Sequence, residues 1–180
     1  MKKLSWLVLI LVCFSVFSVK GQSGNVLSPD EVTEAGLIEM LAPERSIRTR
    51  SIKVFRSEPE SLPDGPASAS MMITFKTNSA VLTDDAIYAL DKVGRALNMD
   101  KLADLKFVIE GHTDPRGSFI LNQNLSQARA EAVKDYLVWK HNVNRERLVA
   151  VGKGYSELIN RDNPIAPENR RVTIVRADER

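Results

Sequence analysis

The stretch MMITFKTNSAVLTDDAIYALDKVGRALNMDKLADLKFVIE, residues 71–110, decides the fold. It opens on a short apolar run, 71–75, of the length and character of a buried strand. From Asp84 the pattern changes to Ile87, Leu90, Val93 and Leu97 at helical spacing, which predicts a helix over 84–99. In 105–110 it alternates, Phe107 and Ile109 against Val108 and Glu110, as a second strand would. Downstream the same reading predicts a helix over 122–140 and strands over 149–151 and 171–175. The order is βαβαββ, and the expected class is α+β: a mixed four-stranded sheet with helices packed on it.

Upstream, residues 57–70 turn to Pro, Ser, Glu, Gly and Ala, with Pro59, Pro63 and Pro66, and read as a linker to a domain over 71–176. Residues 22–56 form an N-terminal segment with two features. Ser28-Pro29-Asp30-Glu31 has the form of a capping box and predicts a helix over 29–41, stopped by Pro43. Arg45, Arg48, Arg50, Lys53 and Arg56 then make a basic cluster, read as a solvated strand or loop with paired charges.

Residues 1–21 read as a secretory leader, because Lys2 and Lys3 precede an apolar run over 4–19 and small residues at Val19 and Gly21 suit cleavage. The run is shorter than the about 20 apolar residues of a spanning helix. Cys13 lies inside it, and Val12 before it argues against a lipid-anchor acceptor. The mature chain is then expected to lack cysteine and to rely on its core for stability in an oxidising compartment.

Hydrophobic residues are 43% and charged residues 27% of the chain, as in ordinary globular proteins. The chain holds 25 basic and 23 acidic residues, and loss of Lys2, Lys3 and Lys20 with the leader reverses that small excess. No basic surplus remains to point to nucleic acid.

One charge stands where a charge is costly. On the 122–140 helix, Leu121, Leu125, Ala128, Ala132, Val133, Tyr136 and Leu137 fall on one arc, and Arg129 falls inside it. Gln127, Glu131, Lys134 and Asp135 hold the opposite face. A guanidinium keeps its charge and needs an acceptor. Asp114, just past the second strand where open sheets build binding sites, is the expected partner. Asn122 lies near the same helical line as Arg129 and offers an amide. Two readings compete: a salt bridge that only ties loop to helix, or a partly open pair that holds an ammonium and a carboxylate on one carbon.

The motifs Gly111-His112-Thr113-Asp114, Gly117, Asn122, Leu125-Ser126, Arg129-Ala130, Val133 and Tyr136-Leu137 resemble the OmpA-like C-terminal domain, shared with MotB and Pal lipoproteins. Val151-Gly152-Lys153-Gly154 and Asn169-Arg170-Arg171-Val172 extend the resemblance, which runs over 73–175. It implies non-covalent binding of peptidoglycan at the diaminopimelate residue of the stem peptide. With the leader, this places an exported protein in the periplasm, where it is free, held at the outer membrane by a partner, or retained by an uncleaved leader. The implied ligand residues are Asp114 and Arg129, with Thr113 of the loop motif, Asn122, and Asn78 in the first strand-to-helix turn. Leu121, where the family often has an aromatic, and the segment 158–168 depart from the pattern.

Two rivals stand beside this reading. An enzyme would need a ligand set or triad, yet the only histidines are His112 and His141, and His112 reads as a turn residue satisfied by backbone. No cofactor or metal is expected. An envelope scaffold with this fold and no peptidoglycan ligand would instead dock other envelope proteins through the basic segment.

Overall fold

A computed structural model describes residues 26–42, 67–76 and 79–177. The leader, the basic cluster and Asn78 lie outside the described residues. Three helices, α1 (Glu34–Leu41), α2 (Asp84–Leu97) and α3 (Phe119–His141), accompany five strands: β1 (Val26–Leu27), β2 (Ser68–Met71), β3 (Lys106–His112), β4 (Leu148–Gly154) and β5 (Val172–Ala177). They form one mixed sheet in the order β1-β2-β5-β3-β4. β1 runs parallel to β2 and β3 to β4, while β5 is antiparallel to both β2 and β3. The α+β class and the βαβαββ order hold, with β1 as an added edge strand.

β2 begins at Ser68, inside the stretch read as linker, and ends at Met71. Serine and alanine have little strand preference, so pairing with β5 sets this strand, reinforced where Ser70 Oγ meets Thr173 Oγ1 at 2.9 Å. Met72 N–H still donates to Leu27 O of β1 at 2.8 Å, and the chain then turns away, with Ile73 N–H donating back to Met71 O at 3.1 Å. Met71, which ends β2, and Ile73, which lies beyond it, are both buried, so the run is apolar although most of it lies outside the strand.

The expected capping box at Ser28 forms, with Ser28 N–H and Oγ–H donating to Glu31 Oε2 at 2.8 and 2.7 Å, but it closes a turn and opens no helix. α1 starts at Glu34, capped by Thr33, whose Oγ1 accepts from Gly36 N–H at 3.1 Å. The intervening Val32 is fully buried and holds the chain against the core before it coils. Leu37 and Leu41 enter the same core, beside Leu90, Leu97, Phe107, Ile109, Leu137 and Ile174. At about 1.5–3 kcal/mol for each large apolar side chain removed from water, α1 is a substantial part of the folded unit.

α3 packs on the sheet through a face the hydrophobic pattern does not show. Its buried residues are Asn122, Ser126, Ala130, Val133 and Leu137, whereas Leu121 is 66% exposed and Ala128 lies on the outside. The glycines opposite explain this rotation. A Cβ on Gly111 would overlap the Ser126 carbonyl, and one on Gly152 would stand 2.5 Å from Gln127 N and 2.7 Å from Ser126 Oγ. The helix backbone therefore lies against the strands themselves, which only small residues permit. Gln127, expected on the solvated face, turns to the edge strand: it accepts from Gly152 N–H at 2.6 Å and donates to Ala150 O at 3.2 Å. Gln123 donates to Gly152 O at 2.6 Å, so α3 covers backbone groups that an edge strand would otherwise expose.

Candidate functional site

β3 delivers the loop that follows it. His112 N–H donates to Arg171 O at 3.0 Å and Thr113 N–H to Gly154 O at 2.8 Å, so the last turn of β3 is clamped between β4 and the entry to β5. Asp114 comes next, only 5% exposed. Its Oδ1 accepts from the backbone N–H and Nε–H of Arg116, both at 3.1 Å. Its Oδ2 accepts from Arg116 Nη2 at 2.7 Å and Arg170 Nη1 at 3.0 Å. These donors, Arg116 first, hold the carboxyl at about 2 against the burial that would raise it. Asp114 is therefore ionised at any physiological pH.

Asn122 is 6% exposed and sits in the first turn of α3, where its Nδ2 donates to Arg116 O at 2.9 Å and Ser118 O at 3.2 Å. It ties the loop to the helix whose start Ser118 caps by accepting from Leu121 N–H. Thr113 Oγ1 is buried with no hydrogen-bond partner among the described residues.

Arg129 and Asp114 do not pair directly. The Asp114 ion pairs go to Arg116 and Arg170, and Arg129 instead donates from Nε to Ser79 O at 3.2 Å and lies 4.9 Å from the centre of the Phe75 ring. The salt bridge read as a loop-to-helix tie is thus absent, because acceptors nearer in the fold take its place. Arg129 remains half-buried at the border of the buried face of α3. Burial, and then Arg170, pull its pKa down, while Asp114 acts in the opposite direction through space. Its Nη groups make no hydrogen bond among the described residues. The site is one fixed carboxylate with three guanidiniums around it, one of them with an open fork.

Arg116 and Arg170 were not singled out from the sequence. For Arg116 the signal was present: an Asp two residues before a backbone N–H is a common turn-forming arrangement. Arg170 reaches Asp114 from 56 positions away, just before β5; its motif Asn169-Arg170-Arg171-Val172 entered the resemblance, but nothing in it announced this contact.

A second polar cluster lies on strands β3 and β4. His112 is 2% exposed with both ring nitrogens unpartnered among the described residues, so the expected backbone satisfaction does not occur. Burial, and then Arg171, lower its pKa to about 3, which keeps the ring neutral. Glu110, His112 and Glu157 bring one donor atom each within 4.8 Å of one another, a spacing that suits a metal. Lys153 Nζ stands between the two carboxylates, 3.3 Å from Glu110 and 2.8 Å from Glu157, with Arg171 Nη2 donating to Glu157 O at 3.1 Å. Two protein cations therefore already balance the two acids.

At the rim, Phe119 and Tyr155 meet edge to face with centroids 5.8 Å apart, and Phe119, Ile120 and Leu121 are all more than half exposed.

The chain matches the family model described as OmpA family over residues 74–171. It is 36% identical over 104 residues to outer membrane protein Omp38 of Acinetobacter baumannii, covering 57% of this chain and 29% of that one. It thus spans less than a third of that relative's length. The peptidoglycan-associated lipoprotein of Burkholderia pseudomallei superposes with a TM-score of 0.50 at 27% identity, covering 60% of this chain and 89% of that one. The OmpA-like domain of FopA1 from Francisella tularensis shares the fold, with a TM-score of 0.53 at 20% identity over 66% of this chain and 81% of that one. No described helix is long and apolar enough to cross a membrane.

Proposed function

Because the chain belongs to the OmpA family, we propose that it is a non-catalytic envelope protein that holds peptidoglycan at the diaminopimelate of the stem peptide. In this reading Asp114 accepts the ligand's ammonium and Arg129 meets the carboxylate on the same carbon, in the forked geometry that lysine lacks. The observation that carries it is the contrast between the two side chains: a carboxylate locked in its charged form, and a half-buried guanidinium whose Nη groups find no acceptor among the described residues. Burying a cation without an acceptor is unfavourable, so an anionic ligand there gains more than it would on open surface.

The remaining expected residues take supporting parts. Asn122 shapes the Asp114 loop, and the Thr113 hydroxyl is a free hydrogen-bonding group beside it. Asn78, which precedes Ser79 in the sequence and lies outside the described residues, is proposed as a further amide contact. The 1–21 leader is proposed to export the chain to the periplasm, where wall binding tethers the envelope. The peptidoglycan-associated name of the Burkholderia relative supports the same direction.

Sedimentation with purified sacculi tests the reading. Wild type is expected to co-sediment, and Asp114→Ala and Arg129→Ala to remain in solution with unchanged circular dichroism. Equal retention of all three would leave only a scaffold without this ligand. Release of soluble muropeptides during the incubation would revive a hydrolase.

A further inference from the structure

Asp114 is charged, yet it is closed to an incoming ligand. With 7% of its side chain exposed, both oxygens already engaged, and guanidiniums on two sides, an ammonium reaches it only if a protein donor yields. The two donors differ in how firmly they are held. Arg170 also donates to Ile165 O at 3.3 Å, and its backbone N–H is held by Pro167 O at 2.9 Å. Arg116 sits on the loop with its side chain 66% exposed, and among the described residues every hydrogen bond of its guanidinium goes to Asp114.

We propose that Arg116 is an internal stand-in for the ligand's ammonium, occupying Asp114 in the free protein and swinging into solvent when the ligand binds. The inference rests on the reading of Asp114 as the ammonium acceptor and adds an autoinhibitory contact to it. The exchange replaces one charge-assisted pair by another, so the carboxylate is never left bare. The pair joins a buried carboxylate to an arginine side chain that stands mostly in solvent, so it can open outward on binding and lowers affinity while it is closed. The backbone N–H of Arg116 donates to Asp114 Oδ1 independently of the side chain, so trimming the side chain leaves the carboxylate aimed as before. The side chain's exposure also means that its loss removes no core packing.

The test is a titration of the full chain with free diaminopimelate, followed by calorimetry and by the arginine Nε–H resonances. Arg116→Ala is expected to bind at least about twofold more tightly than wild type, the lower bound being the value of a fully exposed ion pair and Asp114 being buried. Arg116→Lys, which keeps the charge and loses the fork, should fall between them. In wild type the Arg116 Nε–H signal should be sheltered from solvent exchange without ligand and lose that shelter on saturation. If wild type binds, Asp114→Ala does not, and Arg116→Ala binds equally or more weakly, the stand-in is overturned and the ligand site survives. If wild type, Asp114→Ala and Arg116→Ala give the same result, bound or unbound, the ligand site falls and the stand-in with it.

Discussion

Mild acid should destabilise this protein through one buried ring. The His112 imidazole is held neutral with a pKa of about 3, principally by burial and next by Arg171, whereas in the unfolded chain it returns to 6.5. Between those values the unfolded state carries a proton that the folded state refuses. Stability supplied by the neutral ring is therefore complete above about pH 6.5 and is lost progressively as pH falls toward 3. Each unit of that window is worth about 1.4 kcal/mol, so moving from pH 7.5 to 5.5 removes roughly 1.4 kcal/mol. Glu110, Glu157, Lys153 and Arg171 surround the ring, and the stated window keeps well above the ordinary carboxylate range. Urea unfolding of wild type and His112→Gln at both pH values isolates the effect, since every other group titrates in both proteins. Wild type should lose roughly 1.4 kcal/mol more than the variant. Parallel losses, or a wild type equally stable at both pH values, would refute the buried neutral ring.

Two further outcomes follow from packing. Gly152→Ala places a methyl group 2.5 Å from Gln127 N and 2.8 Å from its Cα, backbone that has nowhere to move, and should cost about 1–3 kcal/mol in thermal unfolding. Asn169, fully buried, gathers the loop before β5 by donating to Asn160 O, Asn163 O and Pro164 O at 3.0, 3.2 and 2.9 Å while accepting from Asn160 N–H at 3.0 Å. Asn169→Ala should cost about 1–3 kcal/mol and speed proteolysis between Asn160 and Ala166.

The sequence was most legible where an element makes its own case. α2 follows its apolar spacing, and its Thr83 cap accepts from Ala86 N–H at 3.4 Å. β3 follows its alternation from Phe107 to Ile109. β2 was hidden because Ser68-Ala69-Ser70 becomes a strand through its partners β5 and β1, both distant along the chain. The face of α3 was misjudged for a related reason. Apolar periodicity finds the side of a helix that packs by bulky side chains, and α3 packs by backbone proximity over Gly111 and Gly152, with Ser126 and Asn122 buried in place of Leu121. Arg129 still borders the interior, because it lies next to Ser126, Ala130 and Val133 on the helix surface. That Arg129 needed an acceptor was evident, but not that other cations take the Asp114 carboxylate first. Arg116 is local and Arg170 comes with β5, and both reach the carboxylate before Arg129 does.

Binding of two synthetic stem tripeptides, identical except that one ends in diaminopimelate and the other in lysine, probes the Asp114–Arg129 division of labour most directly. Both offer a side-chain ammonium, and only the first bears a carboxylate on the same carbon. The first should bind at least about tenfold more tightly, in keeping with one charged hydrogen-bonding partner gained by a half-buried guanidinium, and Arg129→Ala should abolish the difference. Equal affinity for the two peptides in wild type would contradict the pairing of these residues with a single zwitterionic centre.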